Sequence, residues 1–234
     1  MAGSQQGIVR IFGRGEQSAL FAAIDGSVAE SRVQTRVSVN ELVAANANAP
    51  LATPTYDGTG QTVYPDVARI PGGLGPQGFE YWMGITLYPD GVDTTESPSI
   101  LASHDGTTWV VPAGLTNPIA APATGFWPDP DLTFDPAKRR LYLFWLGMRV
   151  AWTDNGKDWT APFVLVSTLS GEVSPAVIKD SGGYKMWSVQ KVDAGATNKI
   201  FHRTHDSLET TWPADVTECT FTPPSGKEPW HMDV

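Results

Sequence analysis

Short stretches of alternating apolar and polar residues run along most of the chain, separated by Gly, Pro, Asp and Asn. Residues 8–12 and 34–39 alternate in this way, and a period of two predicts β-strands. Residues 40–45, with Asn40 as the N-cap, carry the signal of a short helix. No apolar run reaches the ~18 residues of a membrane-spanning helix. The pattern predicts an all-β chain with many turns.

From residue 62 onward, three elements recur in the same order. The first is a strand that opens with a proline and usually an acid, the second is an aromatic strand, and the third ends in an Asp-led turn and a tryptophan. The closing tryptophans, Trp109, Trp159 and Trp212, fall 50 and 53 residues apart. This spacing is typical of one β-propeller blade. Copies of the first element begin at Tyr64-Pro65-Asp66, Asp129-Pro130-Asp131, Ser174-Pro175-Ala176 and His231-Met232-Asp233.

The repeats divide the chain into three parts. Residues 1–49 lack tryptophan, and we interpret them as an attachment or oligomerisation segment, with a leader of no particular role as the alternative. Residues 50–61 are rich in turn formers and predict a linker. Residues 62–234 predict a partial β-propeller. Because three blades and the start of a fourth do not close a ring, we expect a fragment; the blades are predicted at about 62–112, 126–162 and 172–213, with the next beginning at 229–234.

The charge and the cysteine content exclude several classes of partner and site. The net charge is −9 and the 16 basic residues are dispersed, which argues against nucleic acid as a partner. The single Cys219 can form no internal disulfide and has no zinc-ligand spacing around it. Polar residues interrupt any secretory signal in the first 25 positions. We therefore expect a chain made in the cytoplasm, without membrane insertion, cofactor or metal centre.

The candidate chemistry lies where the inner strands of the blades begin. Their first residues face the channel of a propeller, so carboxylates are expected to meet at one axial site, with Ala176 at the equivalent place in the third copy. Glycoside hydrolysis uses such carboxyl groups, one as a base on water and one as an acid on the leaving oxygen. Most tryptophans are expected to pack between blades. The expected axial acids are Asp66, Asp131 and Asp233, and the tryptophans expected to contact a sugar are Trp82, Trp127 and Trp230.

Residues 62–234 resemble the five-bladed propeller glycosidases of the arabinanase and xylosidase group, glycoside hydrolase family 43. This resemblance implies that Asp66 is the general base, that Asp131 orients and tunes the acid, and that Glu172 is the acid. Glu172 lies one residue further from Pro175 than the family pattern requires, and such a slip reverses the direction of a side chain in a strand unless a bulge absorbs it. The resemblance of residues 230–233 to the fourth blade of these enzymes brings His231 towards the channel as a substrate contact.

A second resemblance covers more of the chain and joins it to propeller domains of bacteriophage minor tail proteins. It implies a virion tail-tip protein, with little or no turnover, whose propeller recognises a glycan of the host surface. Other tail proteins and further copies of the chain are the implied partners. The alternative is an active, inverting glycosidase acting on arabinose- or xylose-containing polysaccharide. The resemblance rests on residues 63–67, 81–83, 96–100 and 102–106, and on the preceding residues 38–42, 50–51 and 56–58.

Overall fold

The computed structural model describes residues 9–13, 16–22, 51–167, 171–192 and 197–234. Within these ranges the helical structure is limited to short 3-10 turns at Pro89–Gly91 and Asp93–Thr95, and no helix there is long and apolar enough to cross a bilayer. The strands are β1 (Val9–Gly13), β2 (Glu16–Ala22), β3 (Thr62–Leu74), β4 (Phe79–Leu87), β5 (Pro98–Ser103), β6 (Asp131–Asp135), β7 (Arg140–Trp145), β8 (Arg149–Thr153), β9 (Phe163–Val164), β10 (Glu172–Asp180), β11 (Gly183–Gln190), β12 (Lys199–His205), β13 (Thr217–Cys219) and β14 (His231–Asp233).

The strands form four antiparallel sheets. Blade 1 contains β3 to β5, blade 2 contains β6 to β9, and blade 3 contains β10 to β13, each in chain order. The fourth sheet has the order β14-β1-β2. Along the innermost strands, β3 packs beside β6, β6 beside β10 and β10 beside β14. The predicted all-β, propeller-type fold is confirmed, although β9 and β13 lie beyond the predicted ends of blades 2 and 3.

Two strands from the N-terminal part of the chain extend the fourth sheet. β1 pairs with β14, placing Ile11 opposite Met232, and pairs with β2 on its other side. The strand predicted at residues 8–12 is confirmed by β1. The fourth repeat, which was predicted as the start of a blade, therefore lies in a three-stranded sheet completed by β1 and β2. The strand predicted at residues 34–39 and the helix predicted at residues 40–45 lie outside the described residues.

Polar side chains hold the turns that follow the third strands of blades 1 and 2. Asp105 Oδ1 accepts hydrogen bonds from the amides of Thr107 and Thr108 at 2.8 and 2.7 Å. Asn155 Oδ1 accepts one from the Lys157 amide at 3.0 Å. These bonds satisfy backbone N–H groups that a tight turn leaves without a partner in the ladder. The turn chemistry read from the repeat is thus confirmed in both blades.

The hydrophobic core lies between adjacent blades. One cluster joins blades 1 and 2 around Trp82 and Trp145, which are 1% and 0% exposed. Another joins blades 2 and 3 around Tyr142, Met186 and Trp212. Burying a large apolar side chain of this kind stabilises the fold by about 1.5–3 kcal/mol. Large aromatic residues thus pack each blade against the next.

Candidate functional site

The inner strands of the three blades begin with the same strained backbone. Tyr64, Asp129 and Ser174 each precede a proline and have φ angles of 54°, 60° and 52°, in the left-handed region that non-glycine residues rarely occupy. Such a conformation costs about 1–3 kcal/mol and recurs at functional sites. The register of β3 and of β10 shifts at this point, as at a β-bulge. The repeated sequence therefore produces a repeated local geometry.

These strand starts surround one cavity of about 550 Å³, a volume within the usual range of small-molecule sites. The side chains in its wall form two layers. We call the residues that begin each repeat the first layer, and those two positions further along the second layer. The first layer consists of Tyr64, Asp129, Ser174 and His231, and the second layer consists of Asp66, Asp131 and Asp233, with Ala176 at the remaining position.

The second layer brings three carboxyl groups together. Oxygens of Asp66, Asp131 and Asp233 all lie within 4.8 Å of one another. Asp66 Oδ2 accepts a hydrogen bond from the Leu132 amide at 2.6 Å, and Asp131 Oδ2 accepts one from the Val177 amide at 3.0 Å. Each aspartate thereby holds the inner strand of the following blade. The structure places Asp66 and Asp131 at one axial site, while their catalytic roles stay predictions.

Two of the second-layer carboxyl groups, those of Asp66 and Asp131, resist ionisation. Burial raises the pKa of Asp66 to about 6, and the charge of Asp233 adds to the effect. Burial likewise raises the pKa of Asp131 well above its ordinary value, and repulsion from Asp66 and Asp233 adds to it. In the part of the chain that the structure describes, this is the cluster whose ligand atoms are spaced for a metal ion. A shared proton or a bound cation would each offset the repulsion.

Hydrogen bonds around Asp129 connect the first layer. Asp129 Oδ2 accepts a bond from the Ser174 amide at 3.2 Å and lies 3.1 Å from Ser174 Oγ. Asp129 Oδ1 lies 3.3 Å from His231 Nδ1, and Ser174 Oγ lies 2.8 Å from the same nitrogen. The ring of Tyr64 packs against the imidazole at a centroid distance of 4.7 Å. The four first-layer side chains therefore form one contacting group.

Two more ionisable groups influence this edge of the cavity. Burial raises the pKa of Tyr64 to about 12, with Asp129 and Glu96 adding to the shift. Its phenol therefore stays protonated at neutral pH and can donate a hydrogen bond. Burial also raises the pKa of Glu96 to about 7, with Asp129 and Asp93 adding to it. Carboxyl groups that differ in protonation at one pH are a common feature of acid–base sites.

Glu172, the predicted general acid, is absent from the residues that line the axial cavity. Its carboxylate is buried inside blade 3, where Arg203 Nη2 donates to Oε2 at 3.0 Å. Arg203 Nη1 and the Ser188 hydroxyl donate to the other oxygen. Bidentate pairs of a carboxylate and a guanidinium are among the strong hydrogen-bonded pairs in proteins. The prediction for Glu172 is corrected accordingly: its partner is an arginine of the same blade, and its side chain does not reach the axial cavity.

Two of the tryptophans expected to contact a sugar belong to the packing between blades. Trp82 is 1% exposed, and its indole N–H donates to the Phe79 carbonyl at 3.0 Å. Trp127 packs against Trp145 at a centroid distance of 5.9 Å, and the guanidinium of Arg149 lies 4.8 Å from its ring centroid. Neither side chain lines the axial cavity. Both predictions are therefore corrected, because the aromatic strand positions are used for the core.

Trp230 and His231 lie at the cavity or beside it. His231 lines the cavity wall, and Trp230 meets it edge-on at a centroid distance of 6.1 Å. The ammonium group of Lys191 lies 3.9 Å from the centroid of Trp230 and covers one face of the indole by a cation–π contact. Of the predicted sugar contacts, His231 is the one that faces the cavity directly.

Asp129 and Ser174 were missed as site residues. The residue after each proline is the more obvious candidate, because acids recur there. The signal that identifies the missed pair is the position before each proline, where a residue with positive φ lines the same cavity as the second-layer aspartates. Residues two positions apart lie on one face of a strand, so the two layers follow from one repeat.

No protein-family model matches the chain. Over 88 residues, or 36% of its length, the chain is 33% identical to the A type blood N-acetyl-α-D-galactosamine deacetylase of Flavonifractor plautii. The match spans 11% of that relative. The two proteins therefore share one similar segment, and this match does not assign the activity of the whole relative to this chain.

Among solved structures, an N-acetylgalactosamine deacetylase from F. plautii, in complex with blood group B trisaccharide, matches with a TM-score of 0.66 at 20% identity. The match covers 78% of this chain and 62% of that one. Native arabinanase from Bacillus subtilis matches with a TM-score of 0.45 at 18% identity, covering 62% and 52%. The chain thus spans less than two thirds of either protein. It has an all-β, propeller-type fold similar to that of the deacetylase structure.

Proposed function

We propose that this chain forms the catalytic part of a carbohydrate-active hydrolase and that the axial cavity binds one sugar residue of a glycan. The observation that carries the proposal is the convergence of polar side chains from all four inner strands on one cavity of about 550 Å³, with ionisable groups from three of them. Asp66 and Asp131 have raised pKa values, and His231 lines the same cavity. Ionisable groups whose pKa values are shifted and that lie together in one cavity are characteristic of catalytic sites.

The geometry favours removal of an acyl group from the sugar over inverting cleavage of a glycosidic bond. Inverting glycosidases hold their two carboxyl groups about 6.5–9.5 Å apart, whereas the second-layer oxygens lie within 4.8 Å of one another. The predicted acid, Glu172, is paired with Arg203. Hydrolysis of an amide or ester needs one activated water and a proton for the leaving atom. The similarity to an N-acetylgalactosamine deacetylase supports the same reaction class.

Acetate release from an oligosaccharide ending in N-acetylgalactosamine tests the proposal. We expect the wild-type protein to release acetate and to release no reducing sugar from arabinan. Asp66→Asn and Asp131→Asn should each lower acetate release by at least ~10²-fold if the carboxylates take part in proton transfer. Asp206→Asn, at a side chain that is 91% exposed, is the matched control and should retain full activity. Release of arabinose without acetate would contradict removal of an acyl group and would show cleavage of a glycosidic bond instead.

Recognition of a host glycan by a virion tail protein, without turnover, is the second candidate. The observation that favours it is that Asp66 and Asp131 already accept backbone hydrogen bonds from the next blade, and Glu172 is occupied by Arg203. Binding to a glycan array with no acetate or sugar released would support this candidate. Its partners, the other tail proteins and further copies of the chain, stay predictions.

A further inference from the structure

His231 is held on three sides by first-layer side chains. Its Nδ1 lies 2.8 Å from Ser174 Oγ and 3.3 Å from Asp129 Oδ1. The ring of Tyr64 packs on it at 4.7 Å, with 44° between the planes. The edge of Trp230 approaches at 6.1 Å. These contacts come from β14 and the starts of the three other inner strands, so the orientation of the imidazole depends on all four sheets.

The hydrogen bonds favour one position for the imidazole proton. Ser174 has a single hydroxyl proton, and Asp129 Oδ2 at 3.1 Å or the Trp230 carbonyl at 3.4 Å accepts it. The hydroxyl oxygen can then accept from Nδ1–H of His231. Asp129 Oδ1 is fully buried and forms no hydrogen bond with any described residue, and Nδ1 of His231 lies 3.3 Å from it. With the proton on Nδ1, the neutral imidazole carries its lone pair on Nε2.

Nε2 is the imidazole nitrogen without a hydrogen bond. His231 lines the cavity wall, and its side chain is 22% exposed. Within the described residues, Nε2 is neither hydrogen-bonded nor among the fully buried polar atoms. Its lone pair can take a proton from water bound in the cavity.

We infer that His231 is the proton-transfer residue of this site, with Asp129 and Ser174 as positioning residues; the inference rests on the proposed hydrolase function. Nε2 takes a proton from water as the water oxygen forms a bond to the acyl carbon. The C–N bond then breaks, its electron pair goes to nitrogen, and Nε2–H of the imidazolium returns the proton to that nitrogen. The products are a carboxylic acid and an amine. His231 thereby assumes the proton-donating role predicted for Glu172.

The tautomer of His231 is the first test and does not require a substrate. Long-range 1H–15N NMR spectra of the full chain with 15N-labelled histidine resolve its four histidines, and His231→Asn identifies the signal that disappears. We expect neutral His231 to carry its proton on Nδ1. Asp129→Asn and Ser174→Ala should increase the Nε2–H form, while His205→Asn, at a half-buried histidine that does not line the cavity, should not. A wild-type His231 protonated on Nε2 would overturn the inference.

The second test separates binding from turnover. In His231→Asn, the side-chain amide can replace Nδ1–H against Asp129, but no group replaces Nε2. We expect glycan affinity within about twofold of wild type and turnover lowered by about 10²–10⁴-fold. In His231→Ala, added imidazole should restore part of the turnover, which a purely structural role would not allow. Ser174→Ala should lower turnover by about 10–100-fold, as for other groups that orient a reacting side chain.

The outcomes distinguish this inference from the proposed function. If the wild-type protein releases acetate and His231→Asn releases it equally well, the role of His231 is overturned and the hydrolase function stands. If the wild-type protein binds the glycan but releases nothing, the hydrolase function fails and the role of His231 fails with it. Loss of turnover in His231→Asn with unchanged binding, together with rescue of His231→Ala by imidazole, supports both.

Discussion

Strand β6 begins and ends with a buried aspartate, and the two carboxyl groups have opposite surroundings. Asp131, at the cavity end, lies among the carboxylates of Asp66 and Asp233. Asp135, at the other end, accepts a hydrogen bond from the Tyr184 hydroxyl at 2.5 Å and lies 3.4 Å from Lys179 Nζ. The same residue type on the same strand thus meets negative charge at one end and donors at the other.

The pKa values of the two groups differ accordingly. Burial raises the pKa of Asp131 well above its ordinary value, and the neighbouring carboxylates raise it further. Burial also acts on Asp135, but the Tyr184 hydroxyl, two backbone amides and Lys179 outweigh it and lower its pKa. A buried carboxylate surrounded by donors stabilises the fold, whereas one surrounded by carboxylates is available for chemistry. Glu172 resembles Asp135 because it too is a buried carboxylate that accepts hydrogen bonds from a neighbouring donor, Arg203.

Glu172→Gln should produce the largest loss of stability. It leaves the Arg203 guanidinium buried without its counter-charge, and removing one partner of a buried ion pair costs about 3–5 kcal/mol. Urea unfolding measures this loss. Glu80→Gln is the control, because its ion pair with Arg69 is exposed (36% and 62%) and should contribute about 0.2–1 kcal/mol. If Glu172→Gln removed turnover at unchanged stability, Glu172 would belong to the active site after all.

Asp135→Asn should destabilise the protein by about 1.5–3 kcal/mol, the usual contribution of hydrogen bonds to a charged group. The amide keeps an acceptor but loses the attraction to Lys179 and weakens the bond from Tyr184. Turnover per folded molecule should be unchanged, since the residue lies at the far end of β6 from the cavity. Thermal unfolding at pH 7.5 and an acetate assay measure the two effects.

Asp131→Asn should have the opposite effect at the other end of the strand. Its amide oxygen can still accept the hydrogen bond from Val177, while the repulsion from Asp66 and Asp233 disappears. We expect a gain of about 1–3 kcal/mol at pH 7.5, the range for relieving an unsatisfied buried group, together with loss of turnover. A loss of stability in this variant would mean that a cation or a donor already compensates the cluster.

The stability of Asp66→Asn as a function of pH tests, at a single group, whether a cavity carboxyl group destabilises the fold when it is ionised. The folded-state pKa of Asp66 is about 6, above its ordinary value, so the ionised form is disfavoured by folding and wild-type stability falls as pH rises between these two values. The variant avoids this loss. Its advantage should be nearly absent below about pH 3, should grow up to about pH 7, and should reach about 3 kcal/mol, because one pKa unit corresponds to about 1.36 kcal/mol. An advantage of equal size at pH 4 would contradict the assignment.

Much of the axial site is local chemistry that the repeat encodes. The recurring proline, with an acid two residues into most copies, predicted that Asp66 and Asp131 would reach one axis, and the structure places both there. Asp129 and Ser174 share that repeat but were overlooked, because their importance depends on a positive φ and on His231 from another blade. A positive φ at a non-glycine residue is a backbone feature that residue types indicate only in part.

The sequence by itself determined the blade period, the turn side chains and the aromatic packing between blades, because each depends on residues close together in the chain. Only the tertiary structure decided which acid meets a cation. Glu172 and Arg203 are 31 positions apart and meet across blade 3, and β1 reaches β14 from the opposite end of the chain. A shift of one residue in strand register would redirect every side chain involved. The charge that surrounds a carboxylate is therefore set by pairing between distant strands.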